Sequence, residues 1–469
     1  MINKIIEFID LNKENIIAES IKIIDLPSIT KNEDDVKKCL ERVLELGREK
    51  GFKSYTSLKK DVGVIEYGDG EETIGVLTHV DVVGIGDIKK WKTDPFKGLF
   101  DGRYIIGRGA MDNKTLVISI LYSIFALKEL NIKSKKKIQL IIGTKEEMEW
   151  SDMENYKKEF KLPDYGFTPD GSFPIQNKEK GYADVELEFE KDNSDNEVKI
   201  INIKSGDSVN TIPSFGRAEI HVNDLSDYKD TIDKISSLKD TKVEMMERNN
   251  IKIEVKGVSS HSSLPQNGDN AAEKLIDVLS MFKGLSKATL NFIKMISEIS
   301  KVKHTEELGT QKDSCYYKGE YIGYTTTVPT VIKKRLHHYI VNINIRHKYG
   351  ITREKIISFF EKNRKKYRYN YTINNYQDPI LVNKNKKFLK LMAESYELIT
   401  GEKSNFILAN GTSYAKSMNN IVSWGPVFPG EKDTCHQENE KIDIDSLIKA
   451  TKIYSVFLYK AINHLENLS

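Results

Sequence analysis

An apolar run at Ile138, Leu140, Ile141 and Ile142 reads as a buried strand, and it leads directly into Thr144-Lys145-Glu146-Glu147. Open α/β sheets place their chemistry in the crevice beyond the carboxyl ends of such strands. Two adjacent carboxylates at that point can divide the work, one binding a cation while its neighbour stays free to move a proton. Taken alone, a Glu-Glu pair reads as a solvated turn. The surrounding motifs change that reading.

Upstream, residues 2–24 and 34–50 carry apolar side chains at helical spacing, with Asn32 or Asp34 as a cap for the second helix and Gly51 as its stop. Strand-like runs Val62 to Tyr67 and Thr73 to Val80 are separated by Gly68-Asp69-Gly70, a turn signal. The second run ends in Thr78-His79-Val80-Asp81. Residues at i and i+2 of an extended segment point to the same side, so Asp81 can support the His79 imidazole; alone, His79 reads as a core histidine. Gly107-Arg108-Gly109-Ala110-Met111-Asp112-Asn113-Lys114 opens an apolar-periodic helix to about Leu130, with Asp112 in its cap region. Its glycine spacing fits neither nucleotide-binding fingerprint. Phe167-Thr168-Pro169-Asp170-Gly171 follows, and its aspartate suits a turn.

Residues 179–380 alternate strands, near 181, 197, 215, 251, 337 and 371, with helices near 226, 268 and 353. That α+β rhythm marks a separate domain. Charged stretches Asp192 to Glu197 and Lys362 to Arg368 read as solvated turns. Helix (386–400), turn (Asn410-Gly411-Thr412), helix (412–419), strand (421–424) and a last amphipathic helix (443–463) complete the chain, with His436 in the loop before that helix.

Composition narrows the functional classes. Among 469 residues, 72 lysines and arginines nearly balance 69 aspartates and glutamates, so the net charge of +3 gives no reason to expect nucleic acid or an anionic membrane as a partner. Three scattered cysteines, Cys39, Cys315 and Cys435, argue against a disulfide framework and for a reducing compartment. No signal peptide or spanning apolar segment is evident, and a cytoplasmic location is the expectation.

Taken together, the motifs at 78–83, 107–114, 143–147, 169–171 and 436–440 resemble, in order and over nearly the whole chain, the dinuclear-zinc metallopeptidase family of aminoacylases, carboxypeptidases and carnosinase-like dipeptidases. The likeness is greatest to its bacterial Xaa-His (β-Ala-Xaa) dipeptidase branch, through Gly206-Asp207-Ser208-Val209-Asn210, Ser260-His261-Ser262, Trp91-Lys92-Thr93-Asp94-Pro95-Phe96 and Phe428-Pro429-Gly430. The resemblance implies an α/β catalytic domain in two segments, 1–178 and 381–469, with an α+β lid domain, 179–380, inserted between them. It also implies a monomer acting on small peptides.

The same resemblance implies two zinc ions, for which manganese or cobalt can substitute. Asp112 matches the bridging ligand, His79 and Asp170 the ligands of one ion, and Glu147 and His436 those of the other. Glu146 resembles the general base acting on a metal-bridging water, and Asp81 the residue that orients His79. In the lid, His261 resembles the residue that stabilises the tetrahedral oxyanion, while Asn210 and Arg346 resemble the groups that hold substrate, arginine suiting a free α-carboxylate. Departures from the family pattern are Asn113 in place of a second acid, Thr78 and Glu149 in place of glycines, and an altered loop at Asn410-Gly411-Thr412-Ser413-Tyr414. A dipeptidase acting on peptides with free termini is therefore expected; the alternatives are an N-acyl amino acid amidohydrolase or deacylase, and a homologue that binds metal or peptide without hydrolysis.

Overall fold

Strands Thr73–His79 and Lys137–Gly143 are buried along almost their whole length, in keeping with their largely apolar sequences. In the computed structural model, which describes residues 1–190, 196–464 and 468, they lie side by side and parallel at the centre of a mixed sheet. The strand order is Lys53–Thr56, Val62–Tyr67, Lys137–Gly143, Thr73–His79, Tyr165–Thr168, Ile421–Ser423, Ile175–Glu179 and Ile380–Leu381. Lys137–Gly143 therefore separates the two runs that flank Gly68-Asp69-Gly70 and pairs with both.

The register sets the positions of the loops that follow. His79 pairs with Gly143, and Thr168 with Ser423, so neighbouring parallel strands end at matched levels. Helix Lys114–Glu129 is buried on nearly every side and packs against Ile444–Asn463, with Ser119 Oγ and Thr451 Oγ1 2.7 Å apart in their contact. Together with Ile2–Leu11, Lys13–Ile24, Glu33–Glu49 and Lys387–Thr400, these helices enclose one hydrophobic core.

The chain divides into two compact units, Met1–Lys178 with Leu381–Ser469, and Glu179–Ile380. The second unit has its own core and an antiparallel sheet in the order Thr241–Met246, Asn250–Lys256, Phe215–Val222, Val198–Ser205, Thr326–Arg335, His338–His347, Gly181–Glu190 and Tyr369–Gln377. Burial alternates along Phe215–Val222, as expected of a sheet with one covered face.

Several local expectations change. The helix expected over 2–24 is two helices, Ile2–Leu11 and Lys13–Ile24, parted at Asn12, whose side-chain amide donates to Phe8 O at 2.9 Å and competes with the helical ladder. The helix expected over 412–419 shrinks to a single turn, Tyr414–Lys416, started by Ser413 Oγ accepting from Ala415 N. Lys362 to Tyr367 is not a turn but the end of helix Arg353–Tyr367, exposed at its charged side chains and buried at Tyr367, while residues 192–195 of the other charged stretch lie outside the described residues. Helix Lys287–Ile299, capped by Ser286, was not foreseen. Among the described residues, no helix is long and apolar enough to cross a membrane.

Candidate metal centre

Three of the parallel strands carry a ligand-type residue at the carboxyl end or in the loop just beyond. His79 is the last residue of its strand, Glu146 and Glu147 follow Gly143, and Asp170 follows Thr168. Asp112 precedes helix Lys114–Glu129, and His436 stands in the loop before strand Lys441–Asp443 with its backbone in the left-handed region at φ 62°. A side chain other than glycine held there is mildly strained, as functional sites often tolerate.

Asp112 faces two ways. Its Oδ1 lies 3.0 Å from His79 Nε2, and its Oδ2 lies 3.1 Å from His436 Nε2. His79 Nε2 is also 3.7 Å from Asp170 Oδ2, and His436 Nε2 is 3.0 Å from Glu147 Oε2. Donor atoms of His79, Glu146 and Asp170 form one compact triad, and those of Asp112, Glu147 and His436 form another. One carboxylate thus stands between two imidazoles, as a ligand shared by two cations must.

Buried atoms without partners test whether divalent ions fit here. His79 Nε2, Asp112 Oδ1 and Glu146 Oε1 are all buried and make no hydrogen bond. Buried polar groups are rarely left so, and the lone pairs of a neutral imidazole and two carboxylates are what a cation takes up. Electrostatics agree. Burial, followed by the charge of Asp170, pushes Glu146 well above the usual carboxyl range. Burial works against a charged His79, but the carboxylates of Asp112 and Asp81 beside it outweigh that cost and lift the imidazole well above its ordinary value. Burial would raise Asp112, yet His436 and His79 hold it far below the usual range. Without a cation the site gathers protons, and bound dications would take over their charge.

Asp81 meets His79 with both its backbone carbonyl and its carboxylate. His79 Nδ1 is 3.0 Å from the Asp81 carbonyl oxygen and 3.4 Å from its carboxylate. A proton on Nδ1 donated to that carbonyl leaves Nε2 unprotonated toward the carboxylates. The Asp81 carboxylate also accepts from the backbone N–H groups of Glu146 and Glu147, both at 3.2 Å, and from Thr30 Oγ1 at 2.9 Å.

A model of peptidase family M20/M25/M40 matches residues 75–460. The chain belongs to this family. It is thus an M20/M25/M40 metallopeptidase, and metal-dependent peptide hydrolysis is its chemistry. Among its relatives is YtjP of Bacillus subtilis (strain 168), which bears a provisional dipeptidase name; it is 31% identical over 436 residues, covering 91% of each chain. The fold is shared with human carnosine dipeptidase 1 at a TM-score of 0.63 and 14% identity, covering 99% of each chain. It is also shared with the aminoacylhistidine dipeptidase of Vibrio alginolyticus at a TM-score of 0.59 and 14% identity, covering 96% of each chain.

In this M20/M25/M40 site the first unit brings together His79, Asp81, Asp112, Glu146, Glu147, Asp170 and His436. Asn210, His261 and Arg346 belong to the second unit. There His261 Nδ1 lies 2.6 Å from Ser263 Oγ and 3.3 Å from Ser263 N, so Ser263 holds the ring. Arg346 is buried against the Tyr182 ring at 4.5 Å, its Nε and Nη1 make no hydrogen bond, and burial lowers its pKa to about 10.

Other residues that hold the centre gave no distinctive sequence signal. Asp152 reads as an ordinary acid in the first turn of helix Ser151–Glu159, yet its Oδ2 accepts from Thr144 N at 2.7 Å, from Lys145 N at 2.9 Å and from the Tyr414 hydroxyl. Trp150 Nε1 donates to Glu146 O at 2.6 Å. The loop at 410–414, flagged only as a departure, supplies the Tyr414 ring that packs edge-on against His79 and Trp150.

Proposed function

We propose that this metallopeptidase is a dipeptidase that hydrolyses the single peptide bond of short substrates with free termini, with Glu146 as general base. The observation that carries the reading is Asp112 with one oxygen toward each imidazole, between two ligand triads and beside Glu146. His79, Asp112 and Asp170 would hold one ion and Asp112, Glu147 and His436 the other, zinc being the metal that suits this histidine and carboxylate set. When bound, two such ions would supply Lewis acidity toward the scissile carbonyl and toward the attacking water.

Glu146 takes the proton of that water and hands it to the leaving amine. Its burial and the neighbouring charge of Asp170 favour a carboxylate that accepts a proton readily. Asp81 holds the Glu146-Glu147 backbone in place while its carbonyl fixes the His79 ring. His261 serves the developing oxyanion, its ring held at Nδ1 by Ser263. Arg346 takes the substrate's α-carboxylate, which suits a buried guanidinium with two unengaged donors, and Asn210 assists in holding the substrate. The dipeptidase names of relatives agree with this substrate class.

The test is amine release from a dipeptide panel, with N-acetylated and C-amidated controls, using chelated protein before and after restoring zinc, manganese or cobalt. Cleavage restored by metal and requiring both free termini is the expected result. Cleavage confined to the acetylated compounds would overturn the dipeptidase reading in favour of an acylase.

A further inference from the structure

Glu440 lies four positions beyond His436 and is not among the residues assigned to the metals. It stands immediately before strand Lys441–Asp443, which pairs antiparallel with Tyr104–Ile106, and Gly107 N donates to Glu440 O at 3.0 Å. The pairing therefore delivers Glu440 to the start of the loop that ends in Asp112. Its side chain is 1% exposed.

Both carboxylate oxygens are fully engaged. Oε2 accepts from Arg108 Nη1 at 2.7 Å and from Gly109 N at 3.1 Å. Oε1 accepts from Met111 N at 2.8 Å and from Asp112 N at 3.0 Å. Arg108 is itself buried, donates from Nη2 to Gly84 O at 3.0 Å, and lies over the Trp91 ring at 5.4 Å. An ion pair needs only the arginine. Here three of the four donors are backbone N–H groups of the segment leading into Asp112, and the last belongs to Asp112 itself. A second tie joins the same two segments, with Thr434 N donating to Met111 Sδ at 3.3 Å.

We propose that Glu440 is a positioning residue of the metal centre: its carboxylate fixes the backbone of Asp112 and couples it to the His436 loop, so that the shared ligand and one terminal ligand are set together. The proposal rests on the dinuclear reading given above. Charge-assisted bonds from successive N–H groups define the direction of a loop as well as its stability, and partners behind a metal ligand typically matter 10- to 100-fold in metal affinity. Glutamine at 440 would keep the shape but turn its NH2 group toward backbone donors, misdirecting Asp112. Lysine at 108 would weaken the ion pair and leave the three backbone bonds in place.

The full chain is stripped with chelator and titrated with zinc against a chromogenic competitor, and the visible absorption of the cobalt form is recorded. Melting of the stripped protein is followed by circular dichroism for wild type, Glu440→Gln and Arg108→Lys. Glu440→Gln is expected to lose about 10- to 100-fold in affinity for at least one of the two ions and to alter the cobalt spectrum, while Arg108→Lys stays within about threefold of wild type even where it melts lower. A folded Glu440→Gln protein with wild-type affinities and spectrum would overturn the proposal, as would Arg108→Lys losing as much affinity as Glu440→Gln. If Glu440→Gln does not fold, Glu440→Asp takes its place with the same expected and overturning results, its shorter carboxylate being unable to span the four donors. Wild-type protein that takes up fewer than two ions would overturn the dinuclear reading itself, a result separable from the others.

Discussion

Glu146 is the residue on which binding and catalysis must be told apart, because its carboxylate lies among the donors of the His79 and Asp170 triad and is also the proposed general base. A ligand and a base respond differently to loss of charge. Glu146→Gln keeps the volume of the side chain and removes its basicity, so turnover should fall about 10²- to 10⁴-fold while two ions remain bound. Metal content by atomic emission, measured alongside turnover on the same preparation, checks this. Loss of one ion from the variant would make Glu146 a ligand. At the same scale, Asp112 shows why a carboxylate stands between the imidazoles: its two equivalent oxygens face one imidazole each, at 3.0 and 3.1 Å.

At the level of elements, the centre is built from strand ends tied down by side chains from elsewhere. The turn after Lys137–Gly143 is held from one side by Asp81 and from the other by Asp152, whose carboxyl burial pushes up to about 6 against the pull of the Tyr414 hydroxyl. The strand's last residue makes that closure possible. A Cβ at Gly143 would meet Tyr414 Oη at 2.2 Å and Asp152 Oδ2 at 2.7 Å, both buried and already engaged with one another. Gly143→Ala should therefore destabilise the protein by about 1–3 kcal/mol through overpacking. It should also lower turnover by at least about tenfold, because a displaced turn misplaces Glu146. Urea unfolding and steady-state kinetics on the same variant measure both effects; unchanged kinetics with lowered stability would show that the turn is held independently of Tyr414.

For the whole molecule, the two units have separate cores, and the ligand set lies entirely in the first. The chain enters and leaves the second unit through neighbouring antiparallel strands, with Tyr182 paired to Gln377. The two junctions are consequently close enough for a short glycine-serine linker to replace residues 180–379. The shortened protein should fold and bind two ions, yet lose at least about 10²-fold in hydrolysis because His261, Asn210 and Arg346 are gone. Ion titration and dipeptide turnover check this; full activity in the shortened form would remove all three residues from the proposed function.

The amino-acid sequence by itself determined the family and the chemical inventory. His79, Asp112, Glu146, Glu147, Asp170 and His436 could be picked out because each sits in a short motif and the motifs follow one order along the chain. The α/β character was legible for a related reason: buried parallel strands such as Lys137–Gly143 leave largely apolar runs. Only the tertiary structure decided what orients those groups. Lys137–Gly143 pairs with both Val62–Tyr67 and Thr73–His79, an adjacency set by non-local hydrogen bonds that no local pattern encodes. Asp152, Tyr414, Arg108 and Glu440 are ordinary residues in sequence. They acquire their roles from partners such as Thr144 for Asp152, Asp152 for Tyr414 and Asp112 for Glu440, the last of these 328 positions away along the chain. Ligand chemistry is a property of side-chain type and is written residue by residue, whereas the direction in which a ligand points depends on contacts that exist only once distant segments have packed together.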